Sequence, residues 1–195
     1  MNLPLPLILG SSSPFRKELL SRLRLPFETS SPDIDESPLD GEPPQQLVER
    51  LSQEKAAEIG RRYPAHLIIG SDQVAVINGK ILGKPGSHEK AVQQLAAASG
   101  NSVRFFTGVT LLNSSTGESQ TEMVPFQVHF RNLDSDRIER YLRAEEPYNC
   151  AGSFKSEGLG ITLFERLEGD DPNALMGLPL IRLVSMLEQQ GAEFP

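Results

Sequence analysis

The sequence predicts an α/β protein, and three observations carry that prediction. Short apolar runs with strand character alternate along the chain with segments of helical periodicity. Directly after the first apolar run, Ser13-Pro14 reads as a helix start, an N-cap followed by Pro at the first helical position. Further on, Val74, Val76 and Ile81-Leu82 flank the Asn78-Gly79 dipeptide, a signature of a tight β-hairpin.

The elements follow in order. Leu5–Leu9 is a first strand, and Leu19, Leu20 and Leu23 give the next segment a helical apolar face. Phe27–Ser30 reads as a second strand. Pro44–Arg62 is a helix with Leu47, Val48, Leu51, Ala56 and Ile59 as its apolar stripe. The apolar run Leu67–Ile69 is a buried strand expected to end at Gly70-Ser71-Asp72-Gln73, before the hairpin strands begin. Ser87 caps a helix through Ala98 that stops at Gly100. Val103–Leu112 and Gln120–Phe130 are long strands around the turn Ser114–Gly117. A helix from Leu133 to Ala144, a strand from Ile161 to Leu167, turn chemistry at Asp170–Asn173 and a final amphipathic helix ending near Gly191 complete the chain.

Composition narrows the function classes. At 195 residues the chain is long enough for one sizeable domain or two closely joined lobes, and we take 1–195 as one domain. Acidic residues outnumber basic ones 26 to 19, so general binding to nucleic acid or an anionic membrane is disfavoured, while a local basic pocket for a small anion is not. Cys150 is the single cysteine, which excludes an internal disulfide and fits a reducing, cytoplasmic setting. The apolar start Met1–Leu9 has no basic region before it and reads as strand, not signal peptide. No apolar run approaches the ~20 residues of a membrane helix. The spacing around Gly83-Lys84 is wrong for a P-loop, and no G-x-G-x-x-G, zinc pattern or G-x-S-x-G elbow is present.

Several residues carry candidate chemistry. Arg16 and Lys17 lie in the first turn of a helix, where the dipole already presents positive charge. With Ser11, Ser13 and free backbone N–H groups they suit a phosphate; the alternative is a solvated pair. Asp33, Asp35 and Glu36 cluster between prolines, either as oxygen donors near Mg²⁺ or Mn²⁺ or as a solvated acidic loop. Lys55 falls four residues after Leu51 and four before Ile59, close to the buried face of its helix, and either snorkels or enters a cleft. Asp72, after a buried strand, is a turn residue or a reactive group. Around Cys150–Gly160, small residues surround Lys155 and Glu157, which face one side if the segment is extended. Cys150 itself reads as a packing residue.

The motifs S-S-S-P-F-R, D-E-S, Q-E-K-A, G-S-D-Q-V, G-K-P, F-x-T-G and F-K-S-E-G occur in this order, and together the sequence resembles the Maf family of nucleoside-triphosphate pyrophosphatases over nearly its whole length. Gln73 after the Asp, and Ser156-Glu157-Gly158 after the late Lys, resemble the 7-methyl-GTP branch; the dTTP/UTP branch typically has Thr after the Asp. The resemblance implies an elongated mixed β-sheet flanked by helices, in two lobes with a central cleft. It implies cleavage between the α and β phosphates, with a divalent metal ion, Mg or Mn, as cofactor. Asp72 falls on the family's proton acceptor, and Phe15, Gln73 and Glu157 fall on its specificity positions. Phe15 stands where the branch often has Trp, which keeps an aromatic face with less stacking area.

On this reading Ser11, Ser13, Arg16, Lys17, Lys55, Lys84 and Lys155 hold the phosphates, and Glu36 joins Asp72 at the metal. Phe15 stacks on a cationic 7-methylated guanine, Glu157 accepts from its N1–H and amino group, and Gln73 donates and accepts at the base edge. The partner is a small nucleotide, with no nucleic acid or membrane, and a homodimer is left open. Two alternatives stand beside it: a pyrophosphatase for dTTP, UTP or another modified nucleotide, and a nucleotide-binding regulator of septum formation and cell division.

Overall fold

The computed structural model describes residues 3–195. Met1 and Asn2, which begin the apolar stretch expected as first strand, lie outside them. The elements are β1 (Leu7–Gly10), α1 (Pro14–Ser21), β2 (Phe27–Ser30), α2 (Pro44–Arg62), β3 (Leu67–Ile77), β4 (Lys80–Leu82), α3 (His88–Ala98), β5 (Ser102–Asn113), β6 (Ser119–Phe130), α4 (Ser135–Glu145), β7 (Phe164–Glu168) and α5 (Leu180–Gln189). Three 3₁₀ turns, Ala151–Ser153, Leu159–Leu163 and Pro172–Met176, connect them. This is an α/β protein with a mixed sheet. The strand order is β2-β1-β3-β5-β6-β7, with β4 paired to β3. β1 runs parallel to β2 and β3, while β4 and β7 pair antiparallel with β3 and β6.

The chain divides into two compact units. One comprises the residues up to Gln73, Thr107–Val124 and Asp171 onward; the other comprises Val74–Phe106 and Pro125–Asp170. The first unit has its main core around Leu7, Leu9, Leu19, Leu20, Leu67, Ile69, Val109, Leu183 and Leu187. Each fully buried Leu or Ile contributes about 1.5–3 kcal/mol relative to exposure. The second unit packs Phe130, Phe154 and Phe164 edge to face, with Phe105 against Phe154 and centroids 4.8 to 5.6 Å apart.

Local chemistry sets several boundaries. Ser13 caps α1, its Oγ accepting from Arg16 N at 3.4 Å, with Pro14 at the first helical position. Ser87 and Asp134 cap α3 and α4 in the same way. Asn78 and Gly79 both take positive φ, 48° and 75°, as a two-residue I′ turn requires.

Three expectations are corrected. The run Gly70–Gln73 does not end a strand, because β3 continues through it to Ile77. Gly70 is there for close approach: a Cβ at that position would lie 2.1 Å from Ser52 O on α2. The segment around Lys155 and Glu157 is not extended. Gly158 N and Gly160 N both bond to Lys155 O, folding it into a turn, so alternation along a strand does not place the two side chains. The strand expected from Ile161 starts at Phe164, since Leu159–Leu163 is a 3₁₀ turn.

Candidate active site

α2 lies against the sheet at two glycines. A Cβ at Gly108 on β5 would stand 2.2 Å from Val48 O, one helical turn before the Ser52 carbonyl that Gly70 admits. Ser52 Oγ and Thr110 Oγ1, 2.8 Å apart and buried, reinforce this docking with a hydrogen bond. Lys55 follows Ser52 on the same face of α2, so its side chain reaches across β3. Its Nζ donates to Asp72 Oδ1 at 2.7 Å and lies 2.9 Å from Glu36 Oε1. Lys55 is 5% exposed and Asp72 7%. Of the two readings of the lysine on the apolar stripe, snorkelling is excluded: it is buried and joined to two carboxylates. Glu36 is the exposed member, at 58% of its side chain.

The loop carrying Glu36 is tied to α2 by Arg50. Its Nε and Nη2 donate to Glu42 at 2.7 and 2.8 Å, and Nη2 also donates to Ser37 O at 3.1 Å. Glu42 Oε2 in turn accepts from Leu39 N. Hydrogen bonding to Arg50 holds the Glu42 carboxyl well below its usual range, at about 2. Neither residue stands out in the sequence, since both read as surface charge.

On α1, Arg16 donates from Nε to Gly177 O at 2.8 Å. Burial pulls its guanidinium below its ordinary pKa, and the charges of Asp72 and Glu36 act against that shift. Arg16, Asp72, Glu36 and Lys55 thus form one electrostatic group. Ser11 Oγ accepts from Ser13 N, and Ser13 Oγ is the helix cap, so both hydroxyls use an acceptor site internally. Phe15 is half-buried and Lys17 exposed. Gln73 is half-buried, with Nε2 donating to Thr107 Oγ1, Ala174 O and Leu175 O at 2.9, 2.7 and 3.1 Å. The expectation that Gln73 both donates and accepts at a base edge is corrected, because its donors are taken by the protein.

Lys84, Lys155 and Glu157 belong to the second unit. Lys155 Nζ donates to Glu145 O at 2.9 Å and lies 3.3 Å from Glu145 Oε1, while Lys155 N donates to Tyr141 Oη. Burial pushes the Cys150 thiol up; Glu157 and Glu145 add to the shift, and Lys155 and Lys84 oppose it. The four charged groups thus gather around one half-buried thiol. Glu157 itself is exposed, bonded only to Ser156 Oγ at 3.3 Å among the described residues. Glu145 is the member that the sequence does not announce.

Two of the carboxylates suit a hard cation. Asp72 Oδ1 and Glu36 Oε1 converge on one point, where the Lys55 ammonium now serves as the cation. No group of three or more His, Cys, Asp or Glu suited to a metal occurs among the described residues. The pair supplies oxygen donors of the kind that a hard divalent cation takes beside waters and substrate phosphates.

The fold places the chain in a known class. It is similar to the solved Staphylococcus aureus Ham1 protein, with a TM-score of 0.50 over 95% of this chain and 99% of that one; at 12% identity the likeness concerns the fold alone. Residues 6–190 match the Maf-like protein family, and the chain belongs to it. It is 62% identical to a Pseudomonas syringae protein and 61% identical to a Pseudomonas aeruginosa protein, covering 97% of this chain and 98% of each relative. It is 59% identical to a Nitrosococcus oceani protein over 98% of both. All three relatives are named 7-methyl-GTP pyrophosphatase.

Proposed function

We propose that the protein is a nucleoside-triphosphate pyrophosphatase that hydrolyses 7-methyl-GTP to 7-methyl-GMP and pyrophosphate. The observation that carries this reading is the buried Asp72 carboxylate, held at 2.7 Å by Lys55 with Arg16 acting on it electrostatically, in a chain about 60% identical to proteins of that name. Lys55 takes Oδ1, so Oδ2 is the oxygen that orients water toward the α-phosphorus and accepts its proton. The water oxygen bonds to the α-phosphorus, the bond from that phosphorus to the bridging oxygen breaks, and pyrophosphate leaves with the bonding pair. Arg16 has only Nε committed among the described residues, which leaves its Nη groups for phosphate oxygens.

A divalent ion would be held by Asp72 and Glu36, and when bound it neutralises charge on the triphosphate. Lys55, which joins those carboxylates in the structure, would yield that place to the ion and supply positive charge beside the phosphates. Lys17, Lys84 and Lys155 are proposed as further phosphate cations, with Ser11 and Ser13 at the start of α1. Phe15 is proposed to stack on the base and Glu157 to accept from guanine.

Pyrophosphate release from 7-methyl-GTP, GTP, dTTP and UTP, with Mg²⁺ or Mn²⁺, tests the proposal. The expected result is the highest kcat/KM for 7-methyl-GTP. Release led by dTTP or UTP overturns the base assignment, and tight binding without release from any nucleotide points to a regulator.

A further inference from the structure

Thr107, in the F-x-T-G motif, has no part in the reaction above, yet it is fully buried beside the residue that follows Asp72. The Nε2 of Gln73 has two hydrogens and faces three oxygens. Two are carbonyls, of Ala174 and Leu175, and can only accept. The third is Thr107 Oγ1, whose own proton goes to Ala174 O at 2.8 Å, so it too accepts. A flipped amide would set Oε1 against three acceptors. The surroundings therefore fix the orientation, with nitrogen inward and oxygen outward.

The carbonyls come from one locked turn. Asp171, 1% exposed, accepts from Asn173 N and Nδ2 at 2.9 and 3.0 Å and from Ile181 N at 2.7 Å. The turn ends at Gly177, whose φ of 100° suits glycine and whose carbonyl accepts from both Arg16 Nε and Ser71 Oγ at 2.8 Å. The residues on either side of Asp72, and Arg16 with them, are thus all bonded to Pro172–Gly177.

We propose that Thr107 is a positioning residue: with the turn carbonyls it holds Gln73 so that a carbonyl oxygen is the only group offered to substrate, and this position selects a base that presents a hydrogen-bond donor. The inference rests on the pyrophosphatase reading above, and guanine, with N1–H and an amino group, meets its demand. A base with an acceptor at that edge leaves two acceptors facing each other.

The test compares Thr107→Val, which keeps shape and removes the hydroxyl, with Thr107→Ser, which keeps the hydroxyl. Thr107→Val is expected to raise KM for 7-methyl-GTP three- to tenfold with kcat within twofold, and Thr107→Ser to restore KM. In the wild-type protein the Gln73 side-chain amide protons, assigned by their loss in Gln73→Met, are expected to be protected from solvent exchange. A KM shift below twofold in Thr107→Val, equal impairment in Thr107→Ser, or unprotected Gln73 amide protons in the wild type overturns the proposal. If the wild type releases no pyrophosphate from 7-methyl-GTP, the function reading fails, and the amide exchange still decides whether the lock exists.

Discussion

Asp72 and Lys55 are mutually dependent, and that dependence separates their roles in experiment. Both are almost buried, and removing one charge from a buried pair leaves the other uncompensated, at a cost of about 3–5 kcal/mol. Lys55→Met strands Asp72, whose one ion-pair partner among the described residues is Lys55. Asp72→Asn leaves Lys55 paired with Glu36. Chemical denaturation is therefore expected to show Lys55→Met as the more destabilised variant, with the double variant recovering part of the loss; equal losses that add would remove the coupling. Turnover divides the two differently. Asp72→Asn keeps a side chain of the same shape but no longer accepts the water proton, so kcat is expected to fall by roughly 10²–10⁴ with the fold intact. Near-normal turnover in Asp72→Asn takes Asp72 out of the mechanism.

At the scale of elements, the site exists because α2 sits unusually close to β3 and β5. Gly70 and Gly108 admit the backbone of α2, and an added methyl at either would meet a carbonyl oxygen at 2.1 or 2.2 Å, so the helix has to move. Overpacking of this kind costs about 1–3 kcal/mol. Gly70→Ala and Gly108→Ala are expected to lose stability in that range and to lose turnover as well, because Lys55 rides on the displaced helix; unchanged kcat in both would show that the Lys55 bridge tolerates movement. The loop that brings Glu36 is held by a different device. Glu42 titrates at about 2 in the folded protein against an ordinary value near 4.5, through its bond to Arg50. A lowered carboxylate stabilises the fold above its unfolded pKa and loses that contribution as pH falls through the folded one. Glu42→Gln is thus expected to be less stable than wild type at pH 6 and to show a shallower decline between about pH 4.5 and 2, measured by thermal melts across that range. Parallel decline in both proteins would mean the clamp does not matter.

Across the whole molecule, what the sequence revealed was what short-range chemistry determines. Ser13-Pro14, Ser87 and Asn78-Gly79 each act within four residues, and each boundary they announce is found. The continuation of β3 through Gly70–Gln73 was hidden because Gly70 reads as a breaker until the helix lying on it is known. The partners of Gln73 lie 34 to 102 residues away, and no local pattern reports that its amide donors are taken. The Lys155 segment folds into a turn on α4, where Glu145 waits ten residues back. Glu157, by contrast, is exposed and bonded among the described residues only to a neighbouring hydroxyl, so removing it should leave the fold nearly unchanged. That makes it the cleanest test of base recognition in the chain. If its carboxylate accepts from guanine, losing a charge-assisted hydrogen bond of about 1.5–3 kcal/mol lowers kcat/KM for 7-methyl-GTP by roughly 10- to 100-fold. The same change barely affects dTTP, whose base lacks the paired N1–H and amino donors. Steady-state kinetics of Glu157→Ala with both nucleotides is therefore expected to collapse their ratio, and an equal fall in the two values would assign Glu157 to the triphosphate end or to neither.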